Sequence, residues 1–168
     1  MVHIFSLRVQ NRFGVLARIS GLFSARGYNI DSLSVAPTED SNVSRMTIVV
    51  GKKEKVEEKV LEQIRKQLER QIDVIKVQDI TEIAQQKGRQ LLERELLLIR
   101  VSATPANRSE ILQISDVFGA RAINISKKSV ILEVIAESDK IESLVELLRP
   151  FGIKELTRSG RIAIIQQD

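Results

Sequence analysis

Residues 11–31, NRFGVLARISGLFSARGYNID, carry the pattern that decides the fold. Val15, Leu16, Ile19, Leu22 and Phe23 recur at helical spacing and mark one apolar face. Gly27 stands where a glycine ends a helix, because the left-handed backbone there suits a residue without a Cβ. Upstream, HIFSLRV (residues 3–9) alternates as a strand; downstream, Ile30, Leu33 and Val35 alternate in a second. The helix start is unusual. Gly14 precedes it, and no serine, threonine or aspartate stands in the capping position. A helix N-terminus leaves N–H groups without intrahelical partners and carries partial positive charge. Side chains and water, or an anionic ligand, must satisfy them.

Working outward, PTEDSNV (residues 37–43) is turn chemistry, and residues 46–50 supply a returning strand. Val56, Val60, Ile64 and Leu68 then recur on a charged helix, and residues 73–80 close the unit as a strand. The order is β-α-β-β-α-β, the ferredoxin-like motif. The second half repeats it. Residues 96–103 form a strand, Ile111, Ile114 and Phe118 share a helix face, and residues 122–126 and 130–136 read as a hairpin around Lys127 and Lys128. Ile141, Leu144, Val145 and Leu148 mark another helix that Pro150 and Gly152 close, and residues 153–157 begin the last strand. Residues 160–165 are a further apolar segment with no partner fixed by pattern. The expected fold class is α+β, two tandem ferredoxin-like modules at 1–80 and 96–168, with 81–95 as a polar linker of some helical tendency.

Hydrophobic residues at 43% and charged residues at 29% fit a globular protein with a real core. No apolar run approaches the roughly 18–20 residues that span a bilayer, and the chain enters a strand pattern at once, so neither a membrane nor a signal peptide is expected. The absence of cysteine excludes disulfides and thiolate chemistry and fits a cytoplasmic location. The net charge of +4 would suit an anionic partner. In residues 51–71, however, cations interleave with acids as on a solvated helix face stitched by i,i+4 pairs. Enzymatic chemistry is poorly provided for. The single histidine, His3, opens a strand, where a structural or surface role is expected, and no Ser/His/Asp or Cys/His set can be assembled. Gly51-Lys52-Lys53 lacks the phosphate-cradling loop and reads as a hairpin end. Nucleic-acid binding on this topology stacks bases on strand aromatics. SRMTIVV and LLLIRVSA offer none, and Phe5 reads as core.

The two β-to-α loops differ. In ATPANRSE (residues 103–110), Asn107 and Glu110 have the spacing of a reciprocal cap. QNRFGV (residues 10–15) has no such pair, so the N–H groups of Gly14, Val15 and Leu16 are candidates to meet a carboxylate. An Asx-turn at Asn11 and a positive φ at Gly14 account for the same residues without a ligand, and Asn29 has a turn reading too. The second strand of this topology lies at a sheet edge and invites pairing with an identical chain. Such pairing sets Asn29 of one chain near the Asn11–Leu16 loop of the other. A small amino acid fits the niche: carboxylate on the helix start, ammonium on amide oxygens, side chain against Leu16 and Ile30.

Residues 11–40, followed by SRMTIVV, closely resemble the N-terminal ACT domain of the regulatory small subunit of acetolactate synthase (acetohydroxyacid synthase). The run GVLARISGLFSARGYNI is long and specific, and the likeness continues through RELLLIRV and the TRSG segment at Arg158–Gly160, over nearly the whole chain. Asn124 stands where members often carry aspartate. The resemblance implies a non-catalytic subunit that binds the catalytic large subunit, activates it and confers feedback inhibition by valine in branched-chain amino acid biosynthesis. Thiamine diphosphate, Mg²⁺ and usually FAD would belong to that partner and none to this chain. It also implies a homodimer through ACT domains, with an effector site formed by the loop of Asn11, Gly14, Val15 and Leu16 together with Asn29 and Ile30. A free-standing amino-acid-sensing ACT regulator of another enzyme or of transcription is the alternative, with RNA binding a distant third.

Overall fold

Alternating residues at the start of the chain form strand β1 (His3–Gln10), and the helical stretch after Gly14 forms α1 (Val15–Ser24). They belong to a computed structural model that describes residues 2–51 and 56–166. Lys52 and Lys53 of the hairpin-end reading lie outside the described residues. The chain divides into two compact units. Unit one runs to Leu92 and resumes at Arg161; unit two is Glu93–Gly160.

In unit one, β2 (Ser32–Pro37), β3 (Val43–Val50), α2 (Glu58–Glu69) and β4 (Val74–Asp79) follow α1, and the antiparallel sheet has the order β2-β3-β1-β4. β1 is therefore central and β2 lies at an edge, as the sequence predicts. Facing residues Phe5↔Ile48 and Leu7↔Met46 set the register. One sheet face packs Phe5, Leu7, Met46 and Ile48 against Ile19 and Phe23 of α1 and Ile64 and Leu68 of α2. Each such side chain contributes about 1.5–3 kcal/mol when fully buried. The exposed side of α2 is stitched as its charges predict. Lys66 bonds Glu62 at 2.7 Å and holds its carboxyl below the usual range, and Arg65 bonds Glu69 at 2.9 Å.

Residues 81–95, expected as a linker, instead hold most of α3 (Ile80–Gln86) and the start of β5 (Leu91–Ser102). Asp79 makes α3 possible: its carboxylate accepts from the Thr81 and Glu82 amides, both at 3.1 Å. Its second oxygen bonds His3 Nδ1 at 2.7 Å, which gives the lone histidine a structural role. The apolar segment at the chain's end becomes β9 (Ile162–Ile165), which pairs with β5. Ile80 and Ala163 bury Ile4 and Val49 on the sheet face away from α1 and α2, helped by Leu91 and Ile165. Sequence pattern did not give this segment a place because four residues carry no periodicity of their own.

Unit two continues β5 and adds α4 (Arg108–Phe118), β6 (Arg121–Ile125), β7 (Ser129–Ala136), α5 (Ser138–Leu148), a 3-10 turn at Arg149–Phe151 and β8 (Ile153–Arg158). Its sheet order, β6-β7-β5-β8, repeats that of unit one. Leu97, Ile99, Val101, Leu132 and Val134 pack with Ile111 of α4 and Ile141, Leu144 and Leu148 of α5. The expected α+β class, with two ferredoxin-like modules, is what the chain forms. Buried Glu95 is held by Arg158, whose Nε donates to Oε1 at 2.9 Å and whose Nη2 reaches both Oε2 and the Ser138 hydroxyl. Among the described residues no helix is long and apolar enough to cross a membrane.

Candidate effector site

The β1–α1 loop is fastened before it reaches the helix. Asn11 donates its amide to the Asn42 carbonyl (2.7 Å) and its side-chain Nδ2 to the Ser41 carbonyl (2.9 Å). Its Oδ1 has no partner among the described residues. Gly14 then takes φ 80° and ψ −8°, the left-handed region, and α1 has no side-chain cap and no acid in its first turn. A Cβ at Gly14 would stand 3.2 Å from Arg18 Nη1, so any other residue is strained by the backbone there and must push the flexible guanidinium aside. The Val15 amide makes a long bond to the Arg12 carbonyl at 3.4 Å. The amides of Gly14 and Leu16 have no partner among the described residues.

Sequence reasoning missed Arg18. It lies one turn into α1, with its guanidinium over Gly14 and an ion pair to Asp73. Its side chain is 52% exposed, against 12% for Asp73, so Arg18 is the solvent-facing member of the pair. Free amides, the helix dipole and this cation together make the loop positive. The signal was present in the spacing, since a cation at i+4 from a glycine N-cap is carried back over the helix start.

The other expected residues separate into two places. Val15 is 3% exposed and sits in the core, so it anchors the loop from below and does not line it. Leu16, at 45%, is open to solvent beside Gly14. Asn29 and Ile30 follow the far end of α1. There Gly27, at φ 71°, ends the helix and the Tyr28 amide returns to the Phe23 carbonyl at 3.1 Å. Asn29 Nδ2 donates to Asp31 Oδ1 at 3.3 Å, and Ile30 packs against the core ahead of β2. A ten-residue helix is about 15 Å long at 1.5 Å per residue. One chain therefore brings Asn11, Gly14 and Leu16 together and leaves Asn29 and Ile30 apart from them.

The reciprocal cap expected in unit two does not form. Asn107 makes no side-chain bond to its helix; its Oδ1 turns back to accept from the Thr104 amide at 2.7 Å. That helix start keeps open amides too: those of Ser109 and Glu110 have no partner among the described residues, as that of Leu16 has none at α1. The Thr104 carbonyl takes the Arg108 amide at 3.0 Å, and Arg108 Nη2 bonds the Ser126 and Lys127 carbonyls. The asparagine favours a tight local turn over the cap because its short side chain reaches the loop amide first. Elsewhere in unit one, His3, Asp79, Glu58, Glu62 and Glu82 help line a cleft of 520 Å³. Among the described residues no group of three or more His, Cys, Asp or Glu could hold a metal ion.

Comparison with known proteins agrees with both units. Residues 5–76 match the family model described as the AHAS small subunit-like ACT domain. Residues 94–167 match that of the small subunit of acetolactate synthase. The acetolactate synthase small subunit of Bacillus subtilis is 47% identical over 163 residues, covering 97% of this chain and 90% of that protein. The probable acetolactate synthase small subunit of Archaeoglobus fulgidus is 45% identical over 166 residues, covering 99% and 98%. The crystal structure of the Thermotoga maritima small subunit superposes with a TM-score of 0.84 at 30% identity, over 100% of this chain and 99% of that one. With a domain-level match in each half and full-length likeness in sequence and fold, this chain belongs to the acetolactate synthase small-subunit family.

Proposed function

We propose that this chain is the regulatory partner of a cytoplasmic, thiamine-diphosphate-dependent acetolactate synthase, which it activates and makes sensitive to valine. The observation that carries the effector reading is Gly14: a left-handed, uncapped helix start with open amides beneath a half-exposed guanidinium. Valine's carboxylate would take the Gly14 and Leu16 N–H groups and the solvent-facing Arg18. Its ammonium would take the oxygens of Asn11 and of Asn29 from a second copy, and its side chain would rest on Leu16 and the second copy's Ile30. Val15 fixes the loop from the core. The 15 Å scale of α1 is the reason a second copy is required, and the β2 edge is where that copy would pair.

A site shared between two chains has a direct lever on its partner. Valine inhibits only by binding one dimer arrangement better than another, and a coupling of roughly 1–3 kcal/mol gives a several-fold to hundredfold effect. The chain contributes binding and leverage; the cofactors and the chemistry belong to the catalytic subunit.

Calorimetric titration with valine, followed by assay of the catalytic subunit with and without this chain, tests the reading. Saturable binding by the wild type that Gly14→Asp loses, with valine-sensitive activation of the catalytic subunit, is the expected result. Activation without any valine response would remove the effector from the reading, and no effect on the catalytic subunit would remove the reading itself.

A further inference from the structure

The exposed faces of the two sheets differ in charge at one equivalent place. In unit two, Arg100 is the last residue of β5 before the pairing with β8 slips, and it stands opposite Glu155, with Nη1 3.0 Å from Oε2. Arg121 likewise stands opposite Glu133, with Nη2 2.6 Å from Oε1. In unit one, Arg8 is the last residue of β1 before the pairing with β4 slips, but it stands opposite Lys76. Its neighbour on the other side, in β3, is Arg45. Adjacent strands lie about 4.7–4.9 Å apart, so three exposed cations stand side by side. None of the three has a carboxylate partner among the described residues.

Like charges directly opposite one another weaken a sheet. Within the unit only solvent and salt ions relieve the row, and carboxylates brought by a partner would relieve it further. Beside it, the same end of the sheet exposes apolar side chains. Ile75, the residue skipped at the slip, is 52% exposed, Ile72 92% and Phe13 103%. The Gln10 amide bonds the Asp73 carbonyl at 2.8 Å, which sets the loop carrying Phe13 beside the one carrying Ile72. Aromatic and aliphatic anchors bordered by cations are the make-up of a protein interface. Base recognition would call for aromatics on the strands themselves.

We propose that the Arg8–Arg45–Lys76 row, with Phe13, Ile72 and Ile75 beside it, is where the catalytic large subunit docks, through a segment that presents carboxylates next to apolar side chains. The inference rests on the regulatory reading above, which supplies the partner. It also gives the effector a short route to that partner, because Phe13 adjoins Gly14 and any ligand that fixes the loop fixes this anchor.

The test is titration of the purified catalytic subunit with the full chain and its variants, with melting curves alongside. Lys76→Glu gives Arg8 the carboxylate neighbour that Arg100 already has, so the melting temperature holds or rises. Affinity for the catalytic subunit should nevertheless fall about tenfold or more and lose part of its salt dependence. Lys76→Gln should fall less, and Phe13→Ala should fall at least as far as Lys76→Glu. If Lys76→Glu, Arg45→Glu and Phe13→Ala all bind as tightly as wild type, the docking surface is overturned while the regulatory reading stands. If the wild type itself binds no catalytic subunit, the regulatory reading falls and this inference with it. Tight wild-type binding to heparin that Lys76→Glu abolishes, with catalytic-subunit binding unchanged, overturns the protein occupant in favour of a polyanion.

Discussion

Arg18 of unit one and Arg158 of unit two each grip a carboxylate, but they are spent differently. Arg158 is engaged on several sides, with Glu95 at 4% side-chain exposure and the Ser138 hydroxyl beneath it. Arg18 holds Asp73 with half its side chain still in solvent, above a helix start that nothing else fills. The starts of α1 and α4 differ in the same sense. Glu110 puts an acid in the first turn of α4 and Arg108 ties its loop to the Ser126 and Lys127 carbonyls, whereas α1 starts from left-handed Gly14 with no acid in its first turn. Two copies of one topology therefore divide the labour. One uses its polar groups for its own stability, and the other holds them available.

The sharpest break in that comparison is Arg158→Ala. Leaving Glu95 buried and unpaired should cost about 3–5 kcal/mol, visible as a large drop in unfolding midpoint. Arg18→Ala leaves Asp73 less deeply buried than Glu95 and should cost less, about 1–3 kcal/mol, while weakening valine binding about tenfold; equal destabilisation by both would erase the distinction. Next in size, ending the chain after Gly160 removes β9 and should cost about 2–3 kcal/mol by uncovering Ile4, Val49 and Ile80. Hydrogen exchange should then show faster amides in β1 and β3 and unchanged protection in β7.

Gly14→Asp should weaken valine at least thirtyfold, about 2 kcal/mol, because a carboxylate occupies the anion position on a strained backbone. Asn107→Asp, at the corresponding start of α4, should leave valine affinity unchanged in the same titration. Smallest are Asn11→Ala and Asn29→Ala, each about 5–10-fold, on the order of 1 kcal/mol. Mixing the two single mutants sharpens the shared-site geometry. Mixed dimers should regain one intact site in two, read as half the valine stoichiometry; no regain would place both residues in one chain's site.

The elements of both modules were legible because periods of 2 and 3.6 switch cleanly at Gly14, Gly27 and Gly152, and because Phe5, Ile19, Leu97 and Ile141 fall on the faces that the core needs. Stretches governed by tertiary pairing were not. The polar run after Ile80 reads as linker, yet Asp79 caps it into a helix. Asn107 has cap spacing but bonds its own loop. At the candidate site, local chemistry marks Gly14, Asn11 and Asn29 as suiting either a turn or a ligand, and only the family resemblance tips them toward a ligand. Arg18 was missed although its i+4 spacing from Gly14 was there to read, because a surface arginine on a helix draws no attention until its guanidinium is placed over a glycine. The cation row was also hidden, since Arg8, Arg45 and Lys76 meet only through strand register.

β9 has a further consequence for how this protein is made. The strand that completes unit one is encoded after all of unit two, so the ribosome finishes α3 well before it delivers residues 162–165. At roughly 5–20 residues per second, Ile4, Val49 and Ile80 stay without their Ala163 and Ile165 cover on the nascent chain for several seconds. Unit two is contiguous from Glu93 to Gly160 and has its whole hydrophobic core within those residues, so it can close as soon as it leaves the exit tunnel. Of the two units, the one begun first is thus the last to be sealed, and a chain cut before residue 162 leaves unit one with an open apolar face for chaperones and proteases to find.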